Sequence, residues 1–188
     1  AEHAEDIISK HYANGKVVYI SPSVYKALGY TTEEIIGGYI APYVHDDDID
    51  YFISNTTVEN FKTKDSVTLR YRIRKKNDLY IWLETIIKPV MDNGRIINLI
   101  CTSRDITERK RAENDKEQLI AEMQQSEVLL RTIINSIPDW IFIKDLGHRF
   151  IMVNQAHADA FHKTPKEMTG LNELDLGYPE EVVLGNPE

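Results

Sequence analysis

The chain has 188 residues, of which 42% are hydrophobic and 28% are charged, and its formal net charge is -8 at pH 7. This composition is typical of a soluble globular protein, and no apolar run approaches the ~18 residues that a membrane span requires. The acidic balance argues against a nucleic-acid surface, because phosphate contacts need clustered Lys and Arg. The single cysteine, Cys101, cannot form an internal disulfide, so we expect a cytoplasmic protein.

The first sixty residues predict a hairpin followed by helices. Asn14-Gly15 lies between two β-prone runs, and this dipeptide readily supplies the backbone conformations of a tight turn. Residues 21–36 break the strand pattern and carry helix start and stop signals, which predict two short helices. A further helix is expected from Asp46 or Asp47 to about Lys62, with acidic residues at its positive N-terminal end.

Three further strands are predicted from the pattern that follows. In SVTLRYRIRKK, apolar and polar residues alternate, as in a half-buried strand. Asn77-Asp78 and Asp92-Asn93-Gly94 supply turns on either side of LYIWLETIIKPVM, and RIINLICTSRDI supplies the last strand. The predicted order is β-β-α-α-α-β-β-β, an α+β arrangement.

The chain also contains an internal repeat. A shift of 133 residues aligns Asp6–Gly37 with Asp139–Gly170 without a gap, and the apolar pattern of the two segments matches. The identical pairs are Asp6/Asp139, Ile8/Ile141, Ala27/Ala160, Thr31/Thr164, Glu34/Glu167 and Gly37/Gly170. We interpret the two segments as copies of one module.

The element order, with YIWLE at Tyr80–Glu84 and SRDITERKRAE at Ser103–Glu113, resembles a PAS domain with its C-terminal PAC motif. The resemblance implies a PAS fold over residues 1–107, with five antiparallel strands and short helices on one face. The second copy resembles the opening of another PAS domain. It lacks room for its last three strands, so we expect residues 136–188 to be the N-terminal half of a second, truncated domain. We therefore expect a fragment of a longer protein, without a signal peptide.

Residues 108–135 predict a long helix between the two copies. A spacing of alternately four and three residues selects mostly apolar positions, which places one narrow stripe along the helix, as a two-stranded coiled coil requires. The apolar members of this stripe are Ala112, Leu119, Met123, Leu130, Ile133 and Ile137. We expect them to form the seam of a homodimer. The alternative is a helix that packs on its own domain.

Asp105, Ile106 and Thr107 match the strand-to-helix signature of the family, and the resemblance implies that they relay a signal from sheet to helix. In the family this aspartate tethers the strand end to the sheet. The arginines available as its partners are Arg70, Arg72 and Arg104. The residue types leave a second interpretation open, in which Asp105 or Thr107 caps the helix that follows.

The resemblance also directs attention to a ligand pocket, since PAS relatives hold haem, flavin or small metabolites. Candidate lining residues are Ile8, Val18, Ile20, Tyr71, Leu83 and Ile97, which equally describe a filled core. The cysteine setting of the photoreactive flavin relatives is absent, and Cys101 lies in the last strand. His45 is the nearest candidate for a haem ligand, but Asp46 follows it where the family commonly has proline. We expect neither cofactor, and a small-molecule ligand remains open.

A metal site is not expected at the acidic run 46–50, because the spacing and the central glycine of a calcium loop are absent. Phosphate-binding loops, zinc motifs and nucleophile elbows are missing too, so the segment itself predicts no catalysis.

The resemblance implies a sensory input and dimerisation module in a bacterial or archaeal signal-transduction protein. The expected output is a sensor histidine kinase of a two-component system, with a response regulator as a further partner. The alternatives are a diguanylate cyclase, a transcriptional regulator or a ligand-free protein-interaction scaffold.

Overall fold

A computed structural model describes residues 6–63 and 65–179 of the chain. The chain divides into two compact units, Ala1–Asp115 and Lys116–Glu188. The strands are β1 Ile7–Tyr12, β2 Val17–Ile20, β3 Val67–Arg74, β4 Tyr80–Asp92, β5 Arg95–Asp105, β6 Phe142–Lys144 and β7 Phe150–Val153. The α-helices are α1 Ser23–Leu28, α2 Thr32–Ile35, α3 Asp46–Asn55, α4 Val58–Thr63, α5 Thr107–Ser136, α6 Gln155–Ala160 and α7 Pro165–Met168.

The first unit contains one antiparallel sheet with the strand order β2-β1-β5-β4-β3. Side chains alternate between its two faces, because successive residues of a strand point in opposite directions. The inner face carries Leu69, Leu83 and Ile87, which are buried with Val24 and Leu28 of α1 in one hydrophobic core. Short helices therefore cover one face of the sheet, and the expected α+β PAS fold is confirmed.

The helical layer has one more break than the sequence predicts. The helix expected from Asp46 or Asp47 to about Lys62 consists of two helices, α3 and α4, with Thr56 and Thr57 between them. The Thr56 hydroxyl donates to the carbonyl of Phe52 at 2.9 Å, one turn back along α3. This local bond and the non-helical backbone of Thr56 end α3 early.

The second unit repeats the start of the first. Strand β7 lies 133 residues after β2, and α7 lies 133 residues after α2. Both short helices begin with a capping box, formed by Thr31 with Glu34 and by Thr164 with Glu167. The backbone of Gly170 has the left-handed conformation seen at Gly37 in the first unit. The internal repeat therefore specifies the same local structure twice.

A long helix follows the sheet, as expected. Helix α5 has 30 residues, none of them buried, and at a rise of ~1.5 Å per residue it extends for about 45 Å. Five of the proposed seam residues lie on this helix and are exposed, namely Ala112, Leu119, Met123, Leu130 and Ile133. Ile137 lies one residue beyond the helix end and is half-buried.

Candidate functional site

A cavity of about 340 Å³ lies between the inner face of the first sheet and the helices that cover it. Most of its wall is apolar and includes Ile7, Ile20, Leu28 and Phe52. Among the described residues that line the cavity there is no Asp, Glu, Lys or Arg. The polar lining residues include Asn14, Tyr39, Thr56 and Thr57, and further hydroxyl, thiol and imidazole groups form two clusters on the sheet.

The first polar cluster joins β1 to β5. The Ser9 hydroxyl lies 2.8 Å from Nε2 of His11, and Nδ1 of His11 lies 3.1 Å from the carbonyl oxygen of Gly15. A carbonyl can only accept, so Nδ1 carries the imidazole proton and Nε2 accepts from Ser9. Burial lowers the pKa of His11 and keeps the ring neutral. Cys101 lies opposite Ser9 in the strand register, and burial raises the pKa of its thiol to about 12.

The second polar cluster, which we call the hydroxyl trio, consists of Tyr71, Thr85 and Ser103 on three adjacent strands. The Tyr71 and Thr85 hydroxyl oxygens are 3.1 Å apart, and those of Thr85 and Ser103 are 2.8 Å apart. Burial raises the pKa of Tyr71 to about 12, so its hydroxyl stays protonated at neutral pH. The trio forms a continuous hydrogen-bonded row across the floor of the cavity.

Three of the six predicted pocket residues lie in the cavity wall: Ile20, Tyr71 and Leu83. The other three, Ile8, Val18 and Ile97, do not line it, which corrects the sequence expectation. Ile8 and Ile97 point to the outer face of the sheet, away from the cavity, and are 50% and 46% exposed.

The residues that replace them in the wall include Ile7, Ser9, His11 and Leu99. Sequence reasoning missed the polar members of this set. Spacing along the strand could have identified them. Ser9 follows the buried Ile7 by two residues on β1, so both side chains point to the same face of the sheet.

His45 lies away from the cavity wall and has a structural role. It forms the N-cap of α3, where its Nδ1 accepts a hydrogen bond from the amide N–H of Asp47 at 3.2 Å. Its ring packs edge-on against the ring of Tyr80, with the two ring centroids 4.7 Å apart. Nothing in this arrangement points the imidazole toward a haem in the cavity.

The acidic start of α3 is paired with an arginine. Two guanidinium nitrogens of Arg72 donate to Asp48 at 2.8 and 2.9 Å, and one also donates to Asp47 at 3.1 Å. The hydrogen bond from Arg72 lowers the pKa of the Asp48 carboxyl. In the described part of the chain, no group of three or more His, Cys, Asp and Glu residues is arranged to hold a metal ion.

The end of β5 and the start of α5 are bound to one residue of β4. The Ile106 amide donates to the carbonyl of Trp82 at 2.9 Å, and the Trp82 amide donates to Oγ1 of Thr107 at 2.9 Å. Ile106 is buried, so the junction is also fixed by packing. We call this arrangement, formed by Trp82, Ile106 and Thr107, the strand–helix junction.

Asp105 does not pair with any of the three arginines proposed for it. Its Oδ1 accepts the amide N–H of Thr107 at 2.8 Å, which is the capping interpretation of this residue. Each arginine binds a different carboxylate: Arg70 pairs with Glu84, Arg72 with Asp48 and Arg104 with Asp6. For Arg70 the strand register explains the choice, since Arg70 lies directly opposite Glu84.

Glu84 connects the sheet to α5. Its carboxylate accepts from Arg70 of β3 at 2.5 Å and from Arg109 of α5 at 3.3 Å. The hydrogen bond from Arg70 lowers the pKa of the Glu84 carboxyl, and the contact with Arg109 acts in the same direction. This ion-pair cluster reaches the first turn of the long helix next to the strand–helix junction.

Comparison with protein families identifies the class of protein. A model described as "PAS fold" matches residues 17–103, and a model described as "PAS domain" matches residues 128–186. Together these matches cover more than half of the chain. The chain belongs to the PAS domain family.

Curated relatives share segments of this chain. Blue light receptor lreA of Aspergillus flavus is 36% identical over 84 residues, which are 45% of this chain and 10% of that protein. The aryl hydrocarbon receptor nuclear translocator homolog of Drosophila melanogaster is 28% identical over 108 residues, or 55% of this chain and 16% of that protein. Hypoxia-inducible factor 1-alpha of Bos taurus is 24% identical over 135 residues, which are 71% of this chain and 16% of that protein. The chain thus spans about a tenth to a sixth of these relatives.

Solved structures share the fold. A sensory box histidine kinase/response regulator from Burkholderia thailandensis has a TM-score of 0.54 at 19% identity, covering 65% of this chain and 92% of that chain. An RNA-binding light-oxygen-voltage receptor also has a TM-score of 0.54, at 23% identity, and the match covers 64% of this chain and 35% of that chain. At these identities the likeness extends to the fold alone. In the part of the chain that the structure describes, no helix combines the length and the apolar character needed to span a membrane.

Proposed function

We propose that the chain is a sensory input and dimerisation module of a multidomain signal-transduction protein. In this proposal the contents of the cavity act on the strand–helix junction, and α5 carries the change to a downstream domain. Asp105, Ile106 and Thr107 are the proposed relay residues. Residues 1–107 are then the sensor, 108–135 the linker helix and 136–188 the start of a second PAS domain.

One observation carries this proposal: the strands that form the cavity floor are the strands that hold the base of α5. Leu83 lines the cavity, and the adjacent Trp82 binds both Ile106 and Thr107 through its backbone. Ser103 also lines the cavity and lies three residues before Ile106 on the same chain segment. Because packed interiors resist continuous deformation, a displaced Leu83 or Ser103 must shift the junction.

The relay is tested by filling the cavity without a ligand. Thr85→Leu adds volume to the floor of the cavity, whereas Ile86→Leu changes the exposed face of the same strand and serves as the control. Amide hydrogen exchange is measured over residues 107–113 in both variants. We expect Thr85→Leu to change protection there and Ile86→Leu to leave it as in the parent chain. Unchanged exchange in a folded Thr85→Leu protein would overturn the relay.

The dimer seam is the second part of the proposal. The exposed apolar side chains of α5 include Leu119, Met123, Leu130 and Ile133, and they recur at the spacing of a two-stranded coiled coil. Met123→Lys places a charge in the seam, whereas Gln125→Lys places the same charge outside it. By analytical ultracentrifugation we expect a dimer for the parent chain and Gln125→Lys, and a monomer for Met123→Lys. Equal masses for the two variants would contradict the seam.

The output we propose is a histidine kinase, with a response regulator as a further partner, in a cytoplasmic protein of a bacterium or archaeon. Its support is the sensor architecture and the shared fold with the Burkholderia protein; the relatives described above come from a fungus and animals. Competing outputs are a diguanylate cyclase and a transcriptional regulator, and a ligand-free interaction scaffold competes with sensing. Coding sequence beyond residue 188 that completes the second PAS domain and encodes a phospho-accepting histidine helix would support the kinase. A cyclase motif or an early stop codon would overturn it.

A further inference from the structure

We infer that Asn154 is the residue through which a movement of α5 reaches the second unit. Its side chain binds the end of that helix and also binds the backbone beside β6 and in α6. Asn154 is a positioning residue in this role. The role rests on the proposed function, because it is the point at which the signal leaves the linker helix.

The side-chain nitrogen of Asn154 faces the end of α5 and the residues directly after it. Nδ2 lies 3.2 Å from the carbonyl oxygen of Ile134, 3.1 Å from that of Ile137 and 2.8 Å from that of Asp139. The last carbonyl groups of a helix have no partners within the helix, so a donor placed here completes their hydrogen bonding. Asn154 is fully buried, so its amide group depends on these carbonyl groups for partners.

The side-chain oxygen of Asn154 faces the sheet and the helix of the second unit. Oδ1 accepts hydrogen bonds from the amide N–H of Ile141, which directly precedes β6, and from that of His157 in α6, both at 3.1 Å. Two N–H groups meet the oxygen and three carbonyl groups meet the nitrogen, so the orientation of the side chain follows from its partners. Asn154 also lies between β7 and α6 in the chain. One residue thus joins the linker helix to the elements of the second PAS module.

The internal repeat shows which of these bonds the module uses for its own fold. The equivalent of Asn154 in the first unit is Ser21, 133 positions earlier. The Ser21 hydroxyl accepts from the Ile8 amide at 2.9 Å, and the Ser21 amide donates to the Ile8 carbonyl at 2.8 Å. The same pair of bonds joins Asn154 to Ile141, at 3.1 and 2.8 Å. A side-chain oxygen is therefore sufficient for the module, and the nitrogen of Asn154 is an addition that binds the helix.

A second asparagine supports the same connection from the opposite side. Oδ1 of Asn135, in the last turn of α5, accepts a hydrogen bond from the amide N–H of Gln155 at 2.8 Å. Gln155 is the first residue of α6. The helix end is therefore held by a donor on the module and by an acceptor on the helix. Because packed interiors resist continuous deformation, a shift of the helix end must move the start of α6 or break these bonds.

Asn154→Ser tests the role in the full 188-residue chain, because serine is the residue that the first unit uses at this position. The variant keeps an oxygen for the Ile141 amide and removes the donor that faces α5. Asn172→Ser is the matched control, since Oδ1 of Asn172 accepts from the Asp175 amide at 2.9 Å in the loop after α7. Hydrogen exchange is measured by NMR on individual amides. We expect about fivefold faster exchange over residues 134–137 in Asn154→Ser alone, the factor given by one net hydrogen bond, with β6 and β7 unchanged.

A second readout separates transmission of a movement from stability. The cavity-filling change Thr85→Leu is introduced into the parent chain, into Asn154→Ser and into Asn172→Ser. The amide chemical shifts of β7 are then compared with and without Thr85→Leu in each chain. We expect Thr85→Leu to shift these signals in the parent chain and in Asn172→Ser, and we expect this shift to be lost in Asn154→Ser.

The contrary outcomes differ in what they overturn. If β6 and β7 exchange faster by the same factor as residues 134–137 in Asn154→Ser, the residue only stabilises the module. If Thr85→Leu shifts the β7 signals equally in the parent chain and in Asn154→Ser, the movement takes another route, and the proposed relay stands without Asn154. If Thr85→Leu changes exchange over residues 107–113 but does not shift the β7 signals in the parent chain, α5 does not carry the change, and both the relay and this role of Asn154 fail.

Discussion

Replacing Thr107 by Val tests the strand–helix junction at a single atom. Valine has nearly the shape of threonine but lacks the Oγ1 that accepts the Trp82 amide at 2.9 Å. A neutral hydrogen bond of this kind contributes about 1 kcal/mol, and a donor left unsatisfied in a buried site costs about 1–3 kcal/mol. Both residues are half-buried, so water can partly replace the lost acceptor, and we expect a loss near the lower value, about 1 kcal/mol.

The assay is hydrogen exchange of individual amides. A loss of about 1 kcal/mol corresponds to roughly fivefold faster exchange wherever the junction opens locally. We expect this acceleration at the Trp82 amide and in the first turn of α5. Thr107→Ser is the matched control, because serine keeps the Oγ acceptor and removes only a methyl group. The free energy of unfolding, measured with urea, should fall by about the same 1 kcal/mol in Thr107→Val.

Two exchange patterns would refute this role of Thr107. If the Trp82 amide exchanges at the same rate in Thr107→Val and Thr107→Ser, the hydroxyl does not hold the junction. If the Trp82 amide and the first turn of α5 show the same free energy of opening as the core of the sheet, they open only when the whole unit unfolds; the junction then forms no local hinge, and the relay through Thr107 fails.

Three further variants test other parts of the first unit. Glu84→Gln breaks the pairs with Arg70 and Arg109, and we expect a loss of about 0.5–1 kcal/mol that shrinks in 1 M NaCl, measured by urea unfolding. Burial lowers the pKa of His11 in the fold, whereas the unfolded chain takes up a proton near pH 6.5. The free energy of unfolding therefore falls as the pH drops from about 6.5 towards the lowered pKa of the folded state. The stability advantage of the parent chain over His11→Gln should therefore decrease between pH 7.5 and 5, by at most about 1.4 kcal/mol per pH unit; a constant difference contradicts it. Leu69 is fully buried, and Leu69→Ala should cost about 2–5 kcal/mol in the same assay; less than 1 kcal/mol would contradict the packing.

Alternation in the sequence was sufficient to predict most of the sheet. The pattern around β3 identified which residues face the core, because polar and apolar residues there alternate without interruption. The phase of β1 could not be read in the same way, since Ile7 and Ile8 are both apolar and only one can point inward. Choosing Ile8 moved the predicted pocket to the wrong face of that strand and left Ser9 and His11 unnoticed.

The partner of Asp105 lay beyond sequence reasoning for a different reason. Three arginines were chemically suitable, and the choice among them depended on strand register and on the distant residues that the fold brings close. Arg104 reaches Asp6 across the sheet at 2.7 Å, and Arg72 is held by α3. With all three arginines engaged elsewhere, the aspartate caps its own helix.

The length of α5 has a mechanical consequence. A helix of about 45 Å acts as a lever, so a tilt of about 2° at its base displaces its far end by about 1.6 Å. A rotation about the helix axis, in contrast, is passed along without amplification and turns every exposed side chain through the same angle. A partner that reads position at the far end therefore detects tilt, and one that reads the orientation of the apolar stripe detects rotation. In the proposed relay, one junction at Thr107 serves both kinds of receiver, because each detects a different motion of the same helix.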